Sequence, residues 1–346
     1  MSYFARKLIV WQRHHGRNDL PWQNTRDPYR VWLAEIMLQQ TQVATVIPYY
    51  EKFLARFPTI KALAAADVES VMGLWSGLGY YARARNLHAS ARTIQRAYDG
   101  KFPQQADTIA LLPGIGPSTA NSIAAFCFGA RTPIMDGNVK RLLTRQFGID
   151  GFPALPVIER ELWALAESLV PKKNVDIYNQ AQMDLGSLIC TRRKPRCNDC
   201  PVATTCVALK QDRTDELPTR KTKRAIPERE VTLLMLIQDG KVLLELRPPS
   251  GIWGGLLSLP ELPAKATATD YAKSKLGCRV GKWSSLPTLT HTFTHFRLHI
   301  STKRADVTNE PRVVENAQRW LSTTDLAEAP LPAPIRLLLG SLVGSV

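Results

Sequence analysis

Between Leu111 and Asn138 the chain makes one sharp turn and then runs through small residues, and this stretch limits the folds open to it. Leu112-Pro113-Gly114-Ile115-Gly116 sets two glycines around one apolar residue, which lets the backbone turn sharply between two helices. Ile123, Ala124, Cys127 and Phe128 then recur at helical spacing, so one face of the following helix is buried and the turn is held rigidly. The first N–H groups of that helix, from about Pro117 onward, have no intrahelical partner and point outward, an arrangement suited to a phosphate. An aspartate follows at the far end, in Pro133-Ile134-Met135-Asp136-Gly137-Asn138. Taken alone, a Gly-x-Gly turn is more commonly a tight link between helices, so its meaning depends on the rest of the chain.

Helical patterning surrounds it. Phe4, Leu8 and Trp11 open the chain with a helical repeat that breaks at Leu20-Pro21-Trp22, and Asp27-Pro28 then reads as an N-cap and first helical residue. The helix that follows carries Leu33, Ile36, Met37, Val43, Ala44 and Ile47, with Glu35 in its apolar half. A carboxyl buried there has its ionised form disfavoured and stays protonated near neutral pH, as a general acid requires; a solvent-facing glutamate on an amphipathic helix is the simpler alternative. Helical segments over 50–57, 59–65, 67–76, 80–99 and 105–111 are separated by Pro58, Gly77-Leu78-Gly79 and Gly100, and two more helices fill 156–188. Tyr80 and Tyr81 beside Arg83, Arg85 and Asn86 put aromatics next to bases, a composition suited to nucleotides.

The 346 residues suffice for two domains, and 45 Lys+Arg against 30 Asp+Glu leave a formal charge of +15. A polyanionic partner follows, and nucleic acid fits it best, although a merely basic soluble protein has the same balance. No apolar run approaches the roughly 20 residues of a membrane span. Leu8-Ile9-Val10-Trp11 is too short for a signal-peptide core, so a location inside the cell is expected. Four of the six cysteines cluster as Cys190-x6-Cys197-x2-Cys200-x5-Cys206. Uneven spacing favours four thiolates around a cubane iron–sulfur cluster over paired zinc knuckles, with disulfides a distant third in a chain lacking a secretion signal. Arg192, Arg193, Lys194 and Arg196 lie on the loop between the first two, where ligation at its ends would let it present charge to a phosphate backbone. Cys127 and Cys278 read as core residues.

Residues 208–228 are polar, basic and aperiodic, a linker, after which strands begin. Val231–Ile237, Asp239-Gly240 and Val242–Leu246 form a hairpin signal with a type I′ turn. A helix over 266–276, a strand near 290–303 and an apolar helix from Pro334 to Leu342 complete a second domain of α+β type.

Leu112 to Gly116 with Thr119 and Ala120 resembles the helix-hairpin-helix motif of the DNA glycosylase superfamily, and the cysteine spacing is that of the [4Fe–4S] loop in its endonuclease III and MutY branch. The likeness to MutY-type adenine DNA glycosylases covers nearly the whole chain: Leu20-Pro21-Trp22, Asp27-Pro28-Tyr29, Val31 to Val43, Gly77 to Asn86, Met135 to Val139, Gln180, and His291-Thr292-Phe293-Thr294-His295 in the second domain. The resemblance implies a multidomain fold, an all-α helix-hairpin-helix glycosylase region with a [4Fe–4S] cluster loop plus an α+β Nudix-like C-terminal domain. Its parts would be 1–24 packed with the iron–sulfur domain, a six-helix barrel over 25–132, the iron–sulfur domain over 133–207, the linker 208–228, and 8-oxoguanine recognition by 229–346. It also implies a monomeric, cytoplasmic, nucleoid-associated enzyme that hydrolyses the N-glycosidic bond of adenine mispaired with 8-oxoguanine or guanine in double-stranded DNA.

Roles carry over with it. Glu35 would protonate N7 of adenine, Asp136 would stabilise or trap the sugar cation, and Asn138 would orient Asp136. Leu20, Trp22 and Gln180 would line the pocket of a flipped base, Gln40 and Tyr80 would wedge the stack, and Phe293, Thr294 and His295 would inspect the opposing guanine. Gly114, Gly116, Arg192, Arg193, Lys194 and Arg196 would meet phosphates, and Cys190, Cys197, Cys200 and Cys206 would hold the cluster. Ser118, among the substrate-contacting positions, stands where strand-cutting relatives carry the Schiff-base lysine, so a monofunctional enzyme leaving an abasic site is expected. Thr294 replaces the usual Ser and adds a methyl group. Gly255 and Glu261 have the opening spacing of a Nudix hydrolase motif, but Lys273 and Ser274 stand where paired glutamates would be needed, so recognition without hydrolysis is expected. The alternatives are a pyrimidine-specific glycosylase/lyase, disfavoured by Ser118, and a non-enzymatic iron–sulfur DNA-binding protein, disfavoured by the pairing of Glu35 with Asp136.

Overall fold

The computed structural model describes residues 1–221, 225–308 and 317–343, so linker residues 222–224 and residues 309–316 and 344–346 of the C-terminal domain lie outside the described residues. The chain forms two compact units: Met1–Ala65 with Asn86–Lys223, and Ala66–Arg85 with Arg224–Val346.

The first unit is helical: α1 (Tyr3–His15), α2 (Pro28–Leu38), α3 (Val43–Arg56), α4 (Ile60–Ala65), most of α6 (Ala82–Ala97), α7 (Ala106–Ala110), α8 (Pro117–Phe128), α9 (Gly137–Phe147), α10 (Pro156–Leu169), α11 (Val175–Leu188) and the short α12 (Val207–Lys210). Asp27 caps α2 by accepting from Tyr29 N, with Pro28 in the first turn, as its Asp-Pro start predicts. The continuous helix expected through Ile47 is two helices. Gln40 takes a left-handed φ of 59°, which no α-helix admits, and α3 restarts at Val43. Phe4, Leu8 and Ile9 of α1 join Val139 and Leu143 of α9 and Tyr178, Ala181 and Leu185 of α11 in one core. Part of the expected linker 208–228 is structured: α12 runs into it, Ala208 and Leu217 are buried, and the Leu217 carbonyl accepts from Arg145 Nε.

The second unit joins α5 (Val68–Trp75) and the turn after it to the strands β1 (Glu228–Gln238), β2 (Lys241–Leu246), β3 (Leu257–Ser258), β4 (Glu261–Leu262), β5 (Ser284–Thr292), β6 (Arg297–Asp306) and β7 (Gln318–Ser322), with α13 (Ala268–Ser274), α14 (Asp325–Glu328) and α15 (Ala333–Val343). The sheet order is β3-β2-β1-β6-β5, with β1 and β6 parallel over Glu228↔Arg297 to Ile237↔Asp306. β1 sits at the centre and buries Leu233, Leu234, Met235 and Leu236 in succession, the mark of a strand covered on both faces. Asp239 and Gly240 both take positive φ at the β1–β2 turn, the type I′ geometry their sequence predicts. The strand expected near 290–303 is instead the hairpin β5–β6, whose tip is Phe293-Thr294-His295-Phe296. Phe293 N donates to Phe296 O at 2.8 Å and the two rings stack at 4.4 Å, so aromatic packing makes the turn without glycine or proline.

Segment 66–85 is held to the rest of this unit by polar ties. Arg319 forms a two-point ion pair with Glu69, both bonds 2.6 Å, Ser76 Oγ donates to Leu331 O at 2.7 Å, and Arg85 Nη1 donates to Gly254 O at 2.5 Å.

Candidate active site

The first unit holds a cleft of about 930 Å³ lined by the N-terminal segment, α2, the α2–α3 loop, α9 and α11. Glu35, Asp136, Asn138, Leu20, Trp22 and Gln180 all face it, although they are distant in sequence. Its other lining residues include Arg17, Arg26, Asp176 and Met183, none of which belongs to the motifs. Trp22 is steadied by an edge-on contact with Tyr50, ring centroids 5.4 Å apart.

The two carboxyls are prepared differently. Glu35 lines the cleft from α2, and desolvation by burial pushes its pKa up to about 7; the Ser122 hydroxyl nearby opposes this and the Asp136 charge adds to it. Ser122 Oγ makes no hydrogen bond of regular geometry, so desolvation prevails. Asp136 is the N-cap of α9. Its Oδ1 accepts from Asn138 N at 2.9 Å and Val139 N at 2.7 Å, and its Oδ2 from Asn138 Nδ2 at 3.2 Å. Burial raises its pKa, while these donors and the Arg141 charge hold it down. Arg141 in turn donates to Asn138 Oδ1 at 2.8 Å, Gly186 O at 2.6 Å and Cys190 O at 2.8 Å, tying the Asp136 cap to the start of the cysteine loop. Sequence reasoning passed over Arg141 and over α9 itself, although an Asp cap, Val139, Leu142 and Leu143 at helical spacing, and Gly148 with φ 70° announce that helix.

The other expected contact residues do not line this cleft. Gln40 is exposed on its left-handed turn and does not line the cleft. Ser118 does not line it either, because its hydroxyl accepts from Met135 N at 2.9 Å and pins the residue before Asp136. Tyr80, Phe293, Thr294 and His295 belong to the second unit, where Tyr80 Oη and Thr294 Oγ1 are 3.1 Å apart and Phe293 packs against Trp253 and His291.

At the α7–α8 turn only one glycine is needed for the backbone. Gly114 has φ 75°, and a Cβ there would meet Asn86 at 2.6 Å. Gly116 is extended at φ −86° as the N-cap of α8, and a Cβ there meets no atom within 4 Å. Pro117 has no N–H to offer, so the free donors at this helix start are Gly116, Ser118 and Thr119, and the space beside Gly116 is open to an approaching group. Gly114→Ala therefore lowers stability by about 1–3 kcal/mol in thermal or urea unfolding. Gly116→Ala melts as the parent and weakens duplex binding, which fluorescence anisotropy measures; equal behaviour of the two variants contradicts this division.

Cys190, Cys197, Cys200 and Cys206 line one small cavity together with Arg145, and none is in a disulfide. Arg145 Nη1 lies 3.4 Å from Cys190 Sγ. Burial pushes the Cys200 thiol up to about 12 and raises Cys197 and Cys206, with the neighbouring thiols adding to each shift. Such crowded sulfurs suit a polynuclear cationic group that takes them as thiolates. Among the described residues no His, Cys, Asp or Glu set closes as tightly as a single metal ion requires, and a cubane cluster, being larger than an ion, holds its cysteines farther apart. Arg192, Arg193, Lys194 and Arg196 are all exposed on the loop, and Arg196 also pairs with Asp199 and donates to Leu188 O.

Residues 33–168 match the model of the HhH-GPD superfamily of base excision DNA repair proteins, and residues 231–341 match the NUDIX domain. The chain is 36% identical over 338 residues to the adenine DNA glycosylase of Buchnera aphidicola subsp. Acyrthosiphon pisum, covering 97% of this chain and 96% of that one. It is 38% identical over 276 residues to the human adenine DNA glycosylase, covering 77% of this chain and 50% of that one. Among solved structures, a thermostable thymine-DNA glycosylase superposes with a TM-score of 0.56 at 29% identity, over 60% of this chain and 95% of its own. An endonuclease III–DNA complex shares the fold at 22% identity and a TM-score of 0.52, over 61% of this chain and 95% of its own. Among the described residues no helix is long and apolar enough to cross a membrane.

Proposed function

Because the chain belongs to the adenine DNA glycosylase family, we propose that it releases adenine opposite 8-oxoguanine or guanine from duplex DNA, in the cleft that Glu35 and Asp136 share. It is a DNA N-glycosylase of base excision repair. The observation that carries the finer reading is the contrast between the two carboxyls of that cleft, one with its pKa pushed up to about 7 and the other wrapped in donors. Breaking the adenine N-glycosidic bond requires a proton on the departing base and a negative charge beside the oxocarbenium-like sugar. Glu35 supplies the proton, in this reading to N7, and Asp136 supplies the charge, with Asn138 holding its second oxygen. A base inside the duplex is out of reach, so the adenine must be flipped out, and Leu20, Trp22 and Gln180 are suited to receive it. In the second unit the exposed Thr294 and His295 at the stiff β5–β6 tip are suited to read the opposing 8-oxoguanine.

For the four cysteines we propose a [4Fe–4S] cluster held by Cys190, Cys197, Cys200 and Cys206. When bound, it supplies ligation that ties down the ends of the basic loop, and base excision itself transfers no electron. Iron and acid-labile sulfide in equal amounts support this assignment, and zinc in their place overturns it.

Single-turnover base release from a duplex with adenine opposite 8-oxoguanine, with an adenine:thymine duplex as control, tests the whole reading. Strand breaks are expected only after alkali and only in the lesion duplex, with no borohydride-trapped complex, because Ser118 offers no amine. Breaks without alkali favour the lyase alternative, and tight binding without release favours a non-enzymatic role.

A further inference from the structure

Asp184, one turn beyond Gln180 on α11, is fully buried beneath the cleft and takes hydrogen bonds from five donors. Its Oδ1 accepts from Arg17 Nε at 2.8 Å, Arg17 Nη2 at 2.5 Å and Gln180 Nε2 at 3.0 Å. Its Oδ2 accepts from Gln12 Nε2 at 2.9 Å and Arg17 N at 2.8 Å. A carboxylate can only accept, so a side-chain amide beside it must turn its NH₂ inward. The reversed amide would set Gln180 Oε1 against Asp184 Oδ1, two acceptors at hydrogen-bond distance. Arg17 and Gln12 between them bind both oxygens of Asp184, so it cannot turn away to allow that reversal. Gln180 Oε1 faces the cleft side and has no protein donor among the described residues.

We propose that Asp184 is a positioning residue that fixes Gln180 with its carbonyl toward the ligand, so that the cleft takes purines with a 6-amino group and rejects those with a 6-oxo group. The proposal rests on the reading of this cleft as the adenine pocket. A 6-amino group donates to the fixed carbonyl, whereas a 6-oxo group, as in hypoxanthine or guanine, meets it acceptor to acceptor. A base with only hydrogen at that position forgoes the bond without the repulsion. A freely turning amide would favour neither form, since it could donate to an oxo group as readily as it accepts from an amine.

The test is single-turnover release of adenine, purine and hypoxanthine by the full chain, each base placed opposite 8-oxoguanine in one duplex sequence. Intrinsic differences in leaving ability cancel when the hypoxanthine-to-purine rate ratio of a variant is compared with that of the parent. Asp184→Asn frees the amide to turn and is expected to raise that ratio about tenfold or more. Asp184 is buried in an ion pair, so where this variant does not fold, Gln180→Met, on the cleft wall, decides. Met removes the repelling carbonyl, so the ratio rises by a similar factor if the amide is fixed and falls if the amide turns to help hypoxanthine. An unchanged ratio in every folded variant, or a fall in Gln180→Met, overturns the proposal while leaving the adenine reading intact. Failure of the parent chain to release adenine overturns the adenine reading itself.

Discussion

Glu35→Gln releases adenine at least roughly 10³-fold more slowly than the parent chain and binds lesion duplex with unchanged affinity. The amide is the same size as the protonated acid and can still donate a hydrogen bond, but it has no proton to surrender as the base departs. The pH dependence of the parent follows from the same group. With a pKa of about 7, Glu35 is protonated below neutrality and loses its proton above it. The single-turnover rate should therefore hold up to about that pH and then fall about tenfold per unit. On the acid side Asp136 becomes protonated and the rate falls again, giving a bell. Stability changes in a related way. A carboxyl whose pKa is raised on folding contributes stability that is fully present below its unfolded value and is lost as pH rises through its folded value. Glu35→Gln removes that loss and should melt at or above the parent's temperature at alkaline pH. Near-normal excision by this variant, or its unfolding, contradicts the assignment.

Asp136→Asn keeps the helix and loses the charge. Asparagine is as good an N-cap as aspartate, so the bonds from Asn138 N and Val139 N survive and α9 should form as before. What disappears is the negative charge facing the position where the sugar becomes cationic, an effect of about 10²–10³ in rate. Asp136→Ala removes cap and charge together and should also unfold about 1 kcal/mol more readily. Matching melting curves for the parent and Asp136→Asn, set against a large loss in base release, separate the electrostatic role from the structural one. A rate loss in Asp136→Asn that merely follows a loss of folded protein would assign Asp136 to capping alone.

Much of the fold was legible because local chemistry and tertiary structure agree. Asp27-Pro28 starts α2, Asp239-Gly240 turns β1 into β2, and the change from helical to alternating patterns marks the strand-bearing part. Glu35 and Asp136 stood out through their motifs, and the cleft unites them with Leu20, Trp22 and Gln180. The misses have physical causes. The run from Leu33 to Ile47 keeps helical spacing across the left-handed Gln40, since periodicity does not register a single backbone angle. The β5–β6 turn lacks the residues that usually announce one, because ring stacking between Phe293 and Phe296 replaces them. Ser118 also clamps the backbone before Asp136, a tie that no linear pattern announces. Arg17 and Asp184 are ordinary polar residues until the fold pairs them across 167 positions.

The interrupted second unit bears on the order in which the protein can be assembled during its synthesis. Segment 66–85 leaves the ribosome early, yet the residues that receive Glu69, Ser76 and Arg85 lie beyond residue 224 and emerge only after the remaining helices of the first unit. Val71, Met72 and Trp75 are buried in the finished chain and belong to a unit whose later part is not yet made in the interval. A nascent chain in that state exposes apolar surface for chaperones to hold, and a premature stop between the cysteine loop and Gly254 makes the exposure permanent. Truncations that spare every residue of the cleft should therefore be lost from the cell through degradation, before any question of their catalytic competence arises.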